Sequence, residues 1–256
     1  MTPADIGHVH DLVVDGDTLL VATHRGLFRL DDGSFRAVGD EAHDLMAMTM
    51  LPDGDLVASG HPDLRLAEYK VDGAPPYLGL ARSSSGGESW VVVDLLGEAD
   101  FHALASAEGG IIGADSTGRV WRFDAEGAGQ PVGSIAFDVN DLAISPDDDS
   151  RLVATSYEGE LAASGDAGQT WELNPSAPSI TEIEWTDDGL TGASTTGQLW
   201  AADDLSAEFE MVGESPPDVE TLFVDGAVTL VATRGGQIHR LDDDGSWTLL
   251  LRPDDG

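Results

Sequence analysis

Six copies of one short pattern run through the chain: an apolar run, a polar break ending in glycine, and a second apolar run. LLVATHRGLFRL (Leu19–Leu30) is the first. IIGADSTGRVWRF (Ile111–Phe123), LVATSYEGELAAS (Leu152–Ser164), LTGASTTGQLWAA (Leu190–Ala202) and LVATRGGQIHRL (Leu230–Leu241) repeat it. A strained copy, LVASGHP (Leu56–Pro62), resumes only at LGLARSS (Leu78–Ser84). Such a repeat means that each unit buries its apolar face only by stacking on its neighbours. The runs are about five residues long and rich in β-branched and aromatic side chains, so they read as strands. Nothing of helical period and adequate length competes.

Each unit divides into four strands. In the first, HDLVV (His10–Val14) is followed by a Gly-Asp turn, then LLVAT, GLFRL and SFRAVG. Four antiparallel strands repeated around an axis form a propeller, which leaves only short, protected edges. The first strands align as HDL (His10–Leu12), HDL (His43–Leu45), HAL (His102–Leu104), NDL (Asn140–Leu142), TEI (Thr181–Ile183) and ETL (Glu220–Leu222). Their starts are 33, 59, 38, 41 and 39 residues apart, and the excess in the second blade lies between His61 and Leu78. The expectation is an all-β, six-bladed propeller forming a single domain over 1–256. Its blades fall at about 8–39, 42–97, 100–136, 139–176, 180–213 and 218–252. Blade six carries its own fourth strand, WTLLL (Trp247–Leu251), so the ring is expected to close without exchanging a strand. A short edge strand from Pro3–Val9 completing a neighbour is the alternative.

Charge excludes several partners. The 48 Asp and Glu against 12 Lys and Arg give a net charge of −36, with Lys70 the only lysine. Such a surface repels nucleic acid and anionic membranes, which are bound through clustered cations. Without cysteine there are neither disulfides nor thiolate metal sites. No apolar run approaches the roughly 18 residues of a membrane helix. Met1–Asp11 lacks the basic start and apolar core of a secretory signal. In molar salt the Debye length is only about 3 Å, and self-repulsion of this size is screened. The composition resembles that of halophilic archaeal proteins that keep salt in the cytoplasm. The resemblance implies a cytoplasmic location, or an extracellular one if a leader has been removed. In such a surface Asp147–Asp149 and Asp242–Asp244 read as solvated turns rather than calcium loops. Trp121, Trp171, Trp185, Trp200 and Trp247 recur at strand positions and read as inter-blade packing.

A more specific signature sits in what reads as a second-to-third-strand turn. Ser164-Gly165-Asp166-Ala167-Gly168-Gln169-Thr170-Trp171 matches the whole Asp-box, Ser-x-Asp-x-Gly-x-x-Trp. Ser83–Trp90 matches except that Ser85 replaces the aspartate, and DDGSF (Asp31–Phe35) and DDGSW (Asp243–Trp247) look like shortened relatives. The aspartate can cap backbone N–H groups and glycine supplies a positive φ. The chain thus resembles the Asp-box (BNR-repeat) propellers, which include sialidases. HVHDL (His8–Leu12), ASGHPD (Ala58–Asp63) and LLGEADFHAL (Leu95–Leu104) resemble small bacterial and archaeal members labelled sialidase or glycosyl hydrolase. The sialidase set does not carry over residue by residue. The Phe/Tyr-Arg-Ile-Pro motif is absent, and nothing places Arg25, Arg65 and Arg234 as a triad.

The meander sorts the unusual residues onto one face of the disc. Starts of first strands and ends of second strands share that face, which gathers His8, His10, His43, His102, His24 and His61. His10, His43 and His102 are expected in one register, continued by Asn140, Thr181 and Glu220 as a polar collar at the channel mouth. Leu12, Leu45, Leu104, Leu142, Ile183 and Leu222 would form an apolar collar beneath. Function usually rides on loops at one end of a rigid scaffold.

Three readings of the collar stay open. The imidazoles organise the mouth structurally. Alternatively, His8, His10, His43, His61 and His102 supply neutral nitrogens to Zn, Cu or Ni, with Asp44 or Asp100 nearby. Or a histidine acts with a carboxylate in acid–base chemistry. The expected function is a monomeric module that binds a small ligand, metal, glycan or protein, with Arg25, Asp44, Arg65, Glu98 and Arg234 as ligand contacts. The alternative is a sialidase-like glycoside hydrolase using Glu158, Asp100 and Tyr157.

Overall fold

A computed structural model describes residues 6–31, 33–107 and 110–252, which form six four-stranded antiparallel sheets. Blade one is β1 (Val9–Asp15), β2 (Thr18–Thr23), β3 (Gly26–Asp31) and β4 (Ser34–Ala37). Blade two is β5 (Asp44–Met50), β6 (Leu56–His61), β7 (Leu80–Ser83) and β8 (Val91–Asp94). Its insertion carries a 3-10 turn at Ala67–Tyr69. Blade three is β9 (Phe101–Ala107), β10 (Gly110–Asp115), β11 (Arg119–Phe123) and β12 (Gly129–Ser134). Blade four is β13 (Val139–Ile144), β14 (Leu152–Ser156), β15 (Leu161–Ser164) and β16 (Glu172–Leu173). Blade five is β17 (Glu182–Thr186), β18 (Gly189–Ala193), β19 (Gln198–Ala202) and β20 (Glu210–Glu214). Blade six is β21 (Val219–Asp225), β22 (Val228–Thr233), β23 (Gln237–Leu241) and β24 (Trp247–Leu251). Every sheet pairs in chain order, so the fold is an all-β six-bladed propeller.

Six apolar clusters fill the gaps between blades, one per gap. Val13, Leu20 and Leu27 of blade one meet Leu45, Met48 and Leu56 of blade two. Across the closing gap, Leu12, Val21 and Phe28 meet Leu230, Ile238 and Leu251. Each such side chain contributes about 1.5–3 kcal/mol on full burial. Closure therefore rests on sheet-to-sheet packing, with all strands of blades one and six drawn from their own segments. The alternative edge strand gains no support: Pro3–Asp5 lie outside the described residues, Gly7 and His8 are not in strand, and Val9 opens β1. Trp121, Trp171, Trp185, Trp200 and Trp247 pack against these inter-blade clusters.

The Asp-box hairpin lies between β15 and β16, so it joins third and fourth strands rather than second and third. Its side chains cap the turn from inside. Gly168 and Asp166 donate backbone N–H to Ser164 Oγ at 3.0 and 3.3 Å, and Thr170 N–H reaches Asp166 Oδ1 at 2.8 Å. In blade two Ser85 takes the part of the aspartate, accepting Ser89 N–H at 3.1 Å.

The first strands line the channel, and their pairing fixes the mouth. In five blades the first strand has a bulge against the second, falling on His10, Met46, His102, Asn140 and Glu220. β17 pairs without one, and Thr181 occupies the matching position. A bulge bends the strand and re-aims its extra residue. This corrects the expected register in blade two. Leu45 pairs with Gly60 as Val9 pairs with Thr23, so Met46 holds the collar position and His43 precedes the strand. The apolar position below is accordingly Met48, not Leu45.

Candidate metal centre at the channel mouth

Beneath the mouth lies a cavity of about 1670 Å³, lined by the first strands of all six blades. Two sets of positions stand at its mouth: the bulge residues, and the residue at or just past the end of each second strand, of which His24, Tyr157, Thr195 and Arg234 line the cavity. In blades one and two the latter are His24 and His61, the last residue of β6. Gly60 makes the approach of His61 feasible. Its φ is +133°, and a Cβ there would lie 2.1 Å from the Asp44 carbonyl oxygen and 2.7 Å from the Met46 nitrogen. No other residue type fits this crossing without moving backbone.

His10, His24 and Asp44 converge. His10 Nε2 is 3.1 Å from His24 Nδ1, His24 Nδ1 is 2.8 Å from Asp44 Oδ1, and His10 Nε2 is 3.6 Å from the same oxygen. The donor and acceptor roles of the two ring nitrogens follow from their tautomers, and all three atoms face one small space. Tetrahedral zinc bonds of about 2.0–2.1 Å place donor atoms roughly 3.3 Å apart, the size of this triangle. Three protein donors plus one open position is also the plan of catalytic zinc sites. Among the described residues this is the group of three whose donor atoms meet closely enough to hold a metal ion.

The electrostatics suit a cation. Burial, reinforced by His24, pushes the His10 imidazole down to about 4, so it stays neutral and free to ligate. Burial alone would raise Asp44, but hydrogen bonds from His61 and His24 outweigh it and hold the carboxyl below its ordinary value. His61 is held above its ordinary value by its bond to Asp44, against desolvation, with Asp100 adding to the rise.

The other face residues divide into neighbours and outliers. His61 stands between two carboxylates, Nδ1 3.4 Å from Asp44 Oδ2 and Nε2 3.6 Å from Asp100 Oδ2. His102 Nε2 lies 3.1 Å from Asp100 Oδ2, and Tyr157 Oη lies 3.4 Å from His102 Nδ1. His8 Nδ1 meets Glu220 Oε1 at 2.6 Å, and Arg234 Nε is 3.9 Å from that oxygen. His43 is apart from the cluster. It is 1 % exposed, accepts Asp63 N–H on Nδ1 at 2.9 Å and meets Glu41 through Nε2 at 2.8 Å. With both nitrogens taken, it anchors the blade-two insertion together with Tyr69, whose hydroxyl donates to Glu41. Arg65 belongs to the same anchor. Its Nε donates to Asp63 at 2.9 Å, and this bond holds the Asp63 carboxyl well below the usual range. Arg25, Glu98 and Glu158 are exposed, and their side chains make no hydrogen bond among the described residues.

Two features escaped the sequence reading. His24 was placed on the face but outside the expected ligand set, and it supplies the corner of the triangle nearest both others. Deeper in the channel, Asp11 and Asp141 hold equivalent positions three blades apart. Asp11 accepts Met48 N–H at 2.8 Å, and Asp141 accepts Ile183 N–H at 2.7 Å, each tying its blade to the next. Burial against the wall pushes Asp11 up to about 8 and Asp141 up to about 6. Burial also raises Glu182 and Glu184 well above the ordinary value. The signal was available as carboxylates inside otherwise apolar first strands.

No family model matches the chain, and no curated protein does either. Solved structures of the same fold do. A catalytically inactive virginiamycin B lyase from Staphylococcus aureus, determined with quinupristin, superposes with a TM-score of 0.63 at 14% identity, over 97% of this chain and 85% of that one. The extracellular domain of a hybrid two-component system from B. thetaiotaomicron gives 0.62 at 12% identity, over 98% of this chain and 34% of that one. At these identities the likeness is one of fold: both neighbours are β-propellers, and neither carries the Asp-box or sialidase label to this chain.

Proposed function

We propose that this propeller is a binding module that holds a first-row divalent cation, Zn, Cu or Ni, at its channel mouth through His10, His24 and Asp44. The open coordination position faces the cavity, where a small ligand, a glycan or a protein segment completes it. The observation that carries this reading is the triangle of donor atoms at 2.8, 3.1 and 3.6 Å. Two neutral nitrogens and one carboxylate suit such metals better than magnesium or calcium, which prefer oxygen. Calorimetric titration of chelator-treated protein with ZnCl₂ in molar salt, alongside His10→Ala, tests it. Saturable binding that His10→Ala removes is the expected result. Equal binding by both proteins would overturn it.

The acidic surface supports a salt-adapted chain working in a salt-rich cytoplasm. Lowering the ionic strength unscreens the −36 net charge and should unfold it. Circular dichroism that is unchanged at low salt would contradict this.

A further inference from the structure

We infer that His61 is the positioning residue of the metal site: it holds the outer oxygen of Asp44, so that the carboxylate meets the cation through one oxygen only. The inference deepens the metal reading above and rests on it.

The two oxygens of Asp44 serve different partners. Oδ1 belongs to the triangle, 2.8 Å from His24 Nδ1 and 3.6 Å from His10 Nε2. Oδ2 lies outside it, in ion-pair contact with His61 Nδ1 at 3.4 Å. An unrestrained carboxylate rotates and can offer a cation either oxygen or both. One whose outer oxygen is held presents a fixed inner one, which is why ligating carboxylates are themselves supported by a neighbour. With two imidazoles and a single oxygen in place, the fourth tetrahedral position stays open.

The backbone builds this contact in. Asp44 and His61 are direct partners in the β5–β6 ladder. Residues opposite one another on such strands hold their Cβ atoms about 4.5–5.5 Å apart. At Gly60 a φ of +133° leaves no room for a Cβ against the Asp44 carbonyl, so the strands approach closely where the ring meets the carboxylate.

The far side of the ring is faced by a second carboxylate. His61 Nε2 lies 3.6 Å from Oδ2 of the buried Asp100, which also meets His102 Nε2 at 3.1 Å. Turning the imidazole over would put carbon where each nitrogen stands and lose both carboxylates. Both His61 nitrogens thus face away from the triangle, and the ring acts on the cation through Asp44.

Two measurements separate this role from packing. Chelator-treated wild type, His61→Ala, His61→Asn and His102→Ala are titrated calorimetrically with ZnCl₂ in molar NaCl, with circular dichroism confirming each fold. His61→Ala should bind zinc about 10–100-fold more weakly. His61→Asn, whose amide N–H stands where Nδ1 does, should recover most of that loss. His102→Ala, which removes another imidazole of the same rim, should bind as wild type does. Loading with CoCl₂ then reads the coordination, because bound Co²⁺ absorbs visible light most strongly in tetrahedral sites. The band should weaken in His61→Ala, where both Asp44 oxygens are free to bind, and return in His61→Asn. Zinc binding by His61→Ala equal to that of wild type, with an unchanged cobalt band, overturns the positioning role and leaves the metal site standing. A loss that His61→Asn leaves unrecovered, or that His102→Ala matches, overturns it too. Wild type that binds no zinc removes the metal reading itself.

Discussion

The two halves of the channel mouth are built from the same backbone positions and carry opposite chemistry. At the collar, blades one to three place His10, Met46 and His102, while blades four to six place Asn140, Thr181 and Glu220. After the second strands, the first half has His24, His61 and Ser116, and the second has Tyr157, Thr195 and Arg234. Nearly the same bulge serves both, so the backbone does not choose the site. What differs is the donor. Imidazole nitrogens gathered around a carboxylate suit a borderline-soft cation, whereas an amide, hydroxyls and one carboxylate beside a guanidinium do not. The repeat supplies a ring of equivalent positions, and the side chains make one arc of it distinct.

The sharpest way to break this comparison is to alter one position in both halves. His24→Ala should weaken zinc binding by on the order of a hundredfold or more, since even residues that only orient a ligand are worth about 10–100-fold. Arg234→Ala, at the matching position of blade six, should leave affinity within about twofold. Calorimetric titration of both reads the contrast, and equal losses would erase the distinction between halves.

A smaller effect separates blades one and two. Gly60→Ala forces a side chain into a positive-φ position with its Cβ 2.1 Å from a carbonyl oxygen. That costs on the order of 3 kcal/mol, or roughly 6–12 °C in Tm for a domain of this size. Thr23→Ala, at the matching site, loses a buried hydrogen bond to the Gly26 carbonyl, worth about 1 kcal/mol or roughly 2–4 °C. Thermal melts that rank the two the other way would show that the blade-two crossing is not the tight one.

A pH-dependent effect compares the channel straps. Asp11 and Asp141 have folded-state values raised to about 8 and about 6 by burial. Each is therefore neutral in the fold at a pH where the unfolded chain has already ionised it. Their contribution to stability is complete below the unfolded value of about 3.9 and is lost as pH rises through the folded value. Tm should fall from about pH 4, more gently above pH 6 once Asp141 has ionised in the fold, and level off near pH 8. Asp141→Asn should lessen the fall below pH 6 only, and Asp11→Asn should remove the fall above it. A Tm that holds steady from pH 5 to 9 would contradict the shifts.

The fold was legible because the repeat writes strand and turn into every unit, and six apolar gaps follow from stacking them. The mouth was legible where the bulge coincided with a histidine or its substitute. Blade two misled because the letters HDL at His43–Leu45 copy those of blade one three residues too early. Counting back from the β5–β6 hairpin, Met50 pairing with Leu56 as Val14 pairs with Leu19, would have placed Met46 correctly. His24 was harder to rank, since only the cross-blade approach of Asp44 makes it a centre.

A cation held on one arc of the ring has a position that diffraction can locate. Anomalous diffraction at the zinc edge, from crystals grown in molar salt with ZnCl₂ and excess MgCl₂, measures that position directly. A peak is expected about 2.0–2.1 Å from His10 Nε2, His24 Nδ1 and an Asp44 oxygen. Anomalous density absent from that triangle, or found only along exposed runs such as Asp147–Asp149, would contradict it.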